Sequence, residues 1–452
     1  MAESRPVSIS SYRLNEDEKP DSLKFNCMPD RLIEQEEHVR REYTFGGPDR
    51  SILQARLLKD GRPFMQKVVD GFVNQFFPVG YPYSVGEGYL VYSQFRVLQH
   101  FSSAVLSVLS TQSLLFAAGL KPTPAQATVV SWVLKDGMQH IGKLIGSRMG
   151  VRMDAEPKRW RIFADLMYDI GAGLEVVSPL CPQYFLEVAG LANLAKGVAL
   201  VTARATRLPI YSAFAKEGNL SDLYAKGEAV STVANVLGLG VGIHLASNFC
   251  ASMQGKLLVS PLLSAVHLYS VVEEMRAAPV DSLNAQKTGM LVADYLKNGS
   301  IPRPAELRYR ERLILPAKLY PDAGNVRAGG SLRRILRKPS HLEQLKRKFE
   351  NEKFLLNFND NTTDLLMHQS ASGEDVIRGW LLAACVTKLA GKEVDSQIIS
   401  SSTSKVASQK QDVLDRAYEL MESLLPSLLN GLKEKGWRTH LFLEGSGTRA
   451  MW

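Results

Sequence analysis

At 452 residues the chain has room for two or three domains, and 45% hydrophobic with 22% charged residues is ordinary for a globular protein. The net charge of +8 is local, because 14 Lys and Arg against six acids between 303 and 353 carry the whole excess. Four scattered cysteines (Cys27, Cys181, Cys250, Cys385) show no CxxC or Cys/His pair at metal-ligand spacing, which argues against zinc, and they suggest no disulfide framework.

The first 60 residues are polar. MAESRPVSISSYRLNEDEKPD lacks the apolar core of a secretory signal and carries Glu3, Glu16, Asp17 and Glu18, whereas transit peptides avoid acids. RLIEQEEHVRRE (31–42) reads as a short docking helix. Pro78, Gly80 and Pro82 then rule out a regular helix through FVNQFFPVGYPYSV, whose aromatics suit a packed or interfacial segment.

From 97 to 120 no Lys, Arg, Asp or Glu occurs. As a helix those residues would reach about 36 Å at ~1.5 Å per residue, enough to cross a hydrocarbon core. Five more apolar segments follow, at 124–134, 162–180, 185–203, 229–255 and 257–272, all rich in Ala, Gly and Ser. Their length favours a membrane-associated bundle over the buried core of a soluble domain, where helices average about 11–12 residues.

After residue 300 the texture changes. Helices are expected at 341–352, 373–390 and 412–436, strands at 353–359 and 438–444, and a polar linker at 400–410. The expected fold is mainly α. It has a polar region at 1–64, a membrane-associated multi-helix bundle at 65–300, and a basic linker with a small α+β domain at 301–452. The basic segment suits anionic lipid headgroups, with a solvated helix face as the plainer alternative. No recognition motif accompanies it, so nucleic acid is not expected as a partner.

The apolar run at 162–180 keeps three carboxylates, Asp165, Asp169 and Glu175. Asp165 and Asp169 are four apart and share a helix face, while Glu175 lies on a different side. Mid-helix charges in lipid cost ~2.5–3.5 kcal/mol on insertion scales, so they turn inward and pair. Asp165 or Asp169 is therefore expected to pair with Lys196, Arg204 or Arg207. Such pairs either line a polar path for a solute or fix helix register, and the second reading is preferred. LKDGMQHIGK and EGNLSDLYAKGE place Asp136, Gly137 and Lys143, then Asp222 and Lys226, in what read as loop motifs. Gly238 and Gly242 form a GxxxG, a helix-packing signal rather than a nucleotide loop. His100, His140, His244 and His267 stand alone and read as ordinary core or interfacial histidines. No catalytic or metal-binding motif occurs, and no enzyme activity is expected.

FVNQFFPVGYPYSV, STQSLLFAAG, SWVLKDGMQHIGK, DAEPKRWRIFADLMYDIGAGLE, ANLAKGVALVTARATR and FAKEGNLSDLYAKGEAVSTVANVLGLGVG, in that order, resemble the root UVB sensitive family over about 65–300, and the C-terminal part is also family-like. The likeness implies a helical, membrane-associated protein with a role in seedling, root or embryo development. In some members it is tied to UV-B responses, auxin transport or vitamin B6 homeostasis, often in plastids. It carries over no catalytic residue. Lipids and a second family member are the partners it implies. An intracellular membrane is the expected location, of a plastid or a mitochondrion, although the acidic N-terminus departs from plastid-targeted members. Two of the segments, LKDGMQHIGK and NLSDLYAKGEAVSTVANVLGLGVG, are also similar to signatures of major-facilitator transporters. The alternative from another class is a soluble pyridoxal phosphate-binding or regulatory protein. There a phosphate would call for Lys158, Arg159 and Arg161 beside a helix N-terminus. The preferred reading of that cluster is a helix start facing water or lipid headgroups.

Overall fold

The six apolar segments become six long helices. The computed structural model describes residues 63–119, 125–216, 218–314, 320–329, 332, 339–358, 362–396, 403–444 and 449–452, with 10–13, 31–36, 39–46 and 52–58. Residues 120–124 between the first two apolar segments, residues 315–319 and 333–338 of the basic segment, and Cys27 lie outside these residues.

The chain divides into two units, 1–75 and 76–452. In the first, strands β1 (Ser10–Arg13), β2 (Arg31–Glu36), β3 (Val39–Gly46) and β4 (Ile52–Leu58) form an antiparallel sheet in the order β1-β4-β3-β2, and helix α1 (Phe64–Phe76) follows. The helix expected over 31–42 is thus two paired strands. Pairing places Glu34 opposite Arg41, with an ion pair of 3.5 Å, and the Tyr43 hydroxyl donates to Glu34 at 2.6 Å. The acids and bases of this stretch face each other across strands rather than along a helix.

In the second unit the bundle comprises α2 (Tyr89–Gly119), α3 (Ala125–Ser147), the short α4 (Gly150–Ala155), α5 (Pro157–Val177), α6 (Phe185–Ser212), α7 (Leu220–Ser247) and α8 (Met253–Ala277). α2 packs on α5, α7 and α8, while α6 packs on α3 and α5. Four helical spans, 89–119, 182–212, 220–247 and 253–277, are long and apolar enough to cross a membrane. α3 carries Lys135, Asp136 and Lys143, and α5 carries six ionisable side chains, which keeps both off that set despite their length.

Composition explains how these helices meet. A Cβ on Gly142 of α3 would lie 2.1 Å from Leu194 O of α6, and one on Gly197 of α6 would lie 2.2 Å from Gln139 O of α3. The GxxxG of α7 closes on α2 in the same way: a Cβ on Gly238 would lie 2.5 Å from Phe101 O, and one on Gly242 2.9 Å from Val108 Cγ2. Ser102, Ser113, Thr202, Thr206 and Ser231 return their hydroxyl protons to carbonyls one turn back, so small polar residues fit an apolar helix without orphaned donors.

The C-terminal part is α+β. Its elements are β5 (Ser282–Leu283), α9 (Ala285–Asn298), α10 (Pro304–Leu307), β6 (Val326–Ala328), α11 (Pro339–Lys348), β7 (Phe354–Phe358), β8 (Thr363–His368), α12 (Gly373–Ser396), α13 (Thr403–Glu434), β9 (Arg438–Phe442) and β10 (Arg449–Ala450). One sheet runs β10-β8-β6 with β7 antiparallel to β8, and β5 pairs parallel with β9. The core of this part begins at Leu283 and includes Met290 and Leu291, upstream of residue 301. The supposed linker at 400–410 is helical from Thr403. Strand β8 escaped the sequence reading because Leu365, Leu366 and Met367 are buried in succession, which removes the alternation of a one-sided strand.

Gly142→Val is expected to lower stability by about 3 kcal/mol or more, since backbone carbonyls cannot give way as side chains do. Gly137, whose Cβ would meet nothing within 4 Å, is the control: Gly137→Ala should raise stability by about 0.5–1 kcal/mol. Thermal unfolding of the detergent-purified protein measures both.

Candidate functional site: a charge chain inside the bundle

The bundle exposes many apolar side chains and buries several charged ones beside its apolar core. Val236, Leu237 and Ile243 of α7, Leu258 and Leu262 of α8, and Val129, Val133 and Leu144 of α3 are exposed. Arg96, His267 and Glu274 are at most 1% exposed. Buried charges and many exposed large apolar side chains together are unusual for a water-soluble domain, where charged residues are almost never fully buried unless paired.

The acids of α5 organise the interior. Asp165 accepts from Gln99 Nε2 at 3.1 Å and lies 3.0 Å from Arg161 Nε, while Asp169 Oδ1 lies 2.8 Å from His267 Nδ1. His267 Nε2 is also 3.7 Å from Asp165 Oδ1, so one imidazole of α8 bridges both aspartates. Glu175 pairs with Lys196 of α6 at 2.5 Å. On the other side, Arg96 of α2 reaches Glu274 of α8 at 3.4 Å and Glu228 of α7 at 3.3 Å, with its guanidinium 5.6 Å from the Tyr211 ring centroid. Arg207 of α6 completes the chain at 2.7 Å from Glu228. Five helices are tied together by ionisable side chains. Arg96 Nε, Gln99 Oε1, His100 Nε2 and the Tyr211 hydroxyl are buried and bond no described residue. Polar capacity therefore remains in the interior beyond what the pairs consume.

The expected partners are corrected. Asp165 and Asp169 do not pair with Lys196, Arg204 or Arg207: the lysine takes Glu175, Arg207 takes Glu228, and Arg204 is exposed. The face opposite Asp165 and Asp169 belongs to α2 and α8, which place Gln99 and His267 there. Arg96, Glu228 and Glu274 were missed because each stands beside an apolar run rather than inside it, and His267 because a lone histidine gives no signal until α8 packs against α5. The motifs read as loops are helical. Asp136, Gly137 and Lys143 sit within α3, where Asp136 takes Lys135 at 2.7 Å and Asn193 at 3.3 Å. Asp222 and Lys226 lie in α7, whose first turn lets Asp222 accept from Val79 N at 2.8 Å.

The cluster at the start of α5 also departs from the expected solvent- or headgroup-facing arrangement. Arg161 points to Asp165, and Lys158 is buried against Glu311 at 2.7 Å; Arg159 pairs with Glu156 at 2.7 Å. Beside them the buried Lys287 of α9 donates to Val280 O at 2.8 Å and Ser282 O at 3.0 Å. Burial pulls the Lys287 ammonium down to about 8, because desolvation penalises the charged form. Cys181, Cys250 and Cys385 are free, and no group of three or more potential metal ligands occurs among the described residues.

Residues 64–299 match the family described as the vitamin B6 photo-protection and homoeostasis domain, and residues 271–448 match the root UVB sensitive protein C-terminal family. The chain is 55% identical to protein root UVB sensitive 2, chloroplastic, of Arabidopsis thaliana over 93% of each chain. It is 33% identical to root UVB sensitive 6 of the same plant, over 67% of this chain and 60% of that one. Against RUS family member 1 of Dictyostelium discoideum it is 29% identical, over 62% and 53%. No solved structure matches.

Two measurements probe these charges. Arg96→Met leaves Glu274 buried without its base and should cost about 3–5 kcal/mol, whereas the double variant Arg96→Met/Glu274→Leu should lose much less than the two single losses added. A double-mutant cycle of unfolding midpoints reads the coupling. For Lys287, the unfolded chain holds a proton up to about 10.4 and the fold releases it near 8. Its contribution to stability is therefore present above 10.4 and is lost as pH falls through 8, with a slope of up to about 1.4 kcal/mol per pH unit in between. Melting at pH values spanning that window should show a rise with pH that Lys287→Met flattens.

Proposed function

The chain belongs to the root UVB sensitive family, and from that premise we propose that it is a membrane-embedded helical protein that binds and passes a small polar solute of vitamin B6 homoeostasis. The single observation that carries this reading is the buried charge chain in helices that expose many apolar side chains. Exposed apolar side chains suit lipid, and buried ionisable groups with unspent hydrogen-bonding capacity suit a polar solute. Ionisable residues on spanning helices that face inward are the usual marks of solute and proton pathways in membrane proteins. The reading assigns no catalytic residue and treats the protein as a non-enzyme required for seedling, root or embryo development. Its membrane is intracellular, and the plastid is the compartment to test first, from the chloroplastic name of the 55% identical relative.

A second reading rests on how fully the acids are matched. Asp165, Asp169, Glu175, Glu228 and Glu274 each meet a basic side chain, which is what helix-register pins would do. In that case the protein acts through partners, including a second family member.

One experiment separates these. Full-length protein reconstituted in liposomes should take up labelled pyridoxine or pyridoxal. Asp169→Asn should reduce uptake roughly tenfold, about the loss of one charge-assisted hydrogen bond, while the melting midpoint stays within a few degrees. Uptake at the level of empty liposomes, or a protein that alkaline carbonate strips from native membranes, rejects the solute reading. A variant that loses stability without losing uptake leaves the register reading in its place.

A further inference from the structure

Where α5 begins, the bundle and the segment 278–314 form a small pocket, about 20 Å³ in cavity volume and open to solvent. Four cations line it, Lys158, Arg159, Lys287 and Arg312, against two carboxylates, Glu156 and Glu311. Each carboxylate is already taken: Glu311 by Lys158 and Glu156 by Arg159. Two positive charges are left over, those of Lys287 and Arg312.

We propose that this pocket binds a phosphomonoester group. The excess of two positive charges matches a phosphate dianion, and the donors are in place. Lys287 spends two ammonium protons on the carbonyls of Val280 and Ser282, so its third is free for a ligand. Gln286 also lines the pocket. It is 5% exposed, and its Nε2 bonds no described residue. A buried carboxamide with unspent donors, beside a buried ammonium, calls for an acceptor with several oxygens. The first turn of α5, a helix of 21 residues, has no side-chain cap, so its leading N–H groups and dipole add to the same field.

Competing ligands fit less well. An acidic peptide or nucleic acid needs an extended basic surface, whereas these cations converge on one small enclosure. A carboxylate offers two oxygens to Lys287, Gln286, Arg312 and the helix end, where a phosphate offers three. Burial, which lowers the Lys287 ammonium, would be offset by a bound dianion, so the site gains most from a ligand that brings full negative charge.

The same chemistry has two sources, a soluble phosphate ester or the headgroup of phosphatidic acid. The inference stands apart from solute passage through the bundle, because its residues lie outside the charge chain from Asp165 to Glu274. Full-length protein in phosphatidylcholine nanodiscs is dialysed to equilibrium against labelled inorganic phosphate and glycerol 3-phosphate. In a second arm, nanodiscs containing phosphatidic acid are compared with phosphatidylcholine alone by the shift in melting midpoint. Saturable binding in the first arm assigns a soluble ligand, and a melting shift confined to the second assigns a lipid. In whichever arm responds, Lys287→Met and Arg312→Gln should each weaken binding roughly tenfold. Arg312 is exposed, so its variant keeps the fold if Lys287→Met does not. No saturable binding in either arm, or a response unchanged in Arg312→Gln, overturns the proposal.

Discussion

An ionised group held away from water must find its opposite, and that requirement shapes the bundle. Asp165 and Asp169 are inside because α5 packs against α2 and α8, and both neighbours answer with polar groups at those levels. Arg96 answers Glu274 and Glu228 from a single position, which fixes α2 against α7 and α8 at once. The attraction is strong only because the surroundings are poor in water, and the same surroundings make each unpaired group expensive. A few charges thus link one helix to the next, while glycines permit close approach.

The glycines and the charges divide the work along the helices. Gly142 with Gly197, and Gly238 with Gly242 against α2, bring backbones into contact where no side chain could fit. Such small-residue contacts are the means by which long apolar helices approach closely. The C-terminal part packs differently. Its core gathers Leu, Phe and Trp residues around β7, β8 and α12 by burial of apolar surface. The two are joined where β5, just after α8, pairs with β9 near the chain's end, and where Arg438 meets Asp281.

The presence of the six long helices was legible in the sequence, because the absence of charge over long runs is a one-dimensional signal, but their extent was not: α3 runs 13 residues and α6 nine residues past the expected ends, and α1 and α9 were not expected. Residues 89–96 extend α2 upstream of the expected start at 97, since Arg96 interrupts the apolar run without interrupting the helix. Strand β8 and the strands at 31–46 were not legible. The first lacks alternation, and the second pair carries acids and bases at spacings that helices and hairpins share. At the candidate site the acids were legible as anomalies in an apolar helix, but their partners were not. His267 is 98 residues from Asp169, and Glu274 is 178 from Arg96.

By itself, then, the sequence determined which stretches are apolar helices, that α5 carries acids needing company, that Gly238 and Gly242 permit close packing, and which family the motifs resemble. These are properties of composition and local spacing. Only the tertiary structure decided which base each acid meets, that Lys158 is buried with Glu311 while Arg161 turns into the bundle, and that Lys287 and Gln286 join Lys158 around one pocket. Pairing across such distances depends on which helix faces which, and that is settled by packing the whole bundle rather than by any one segment.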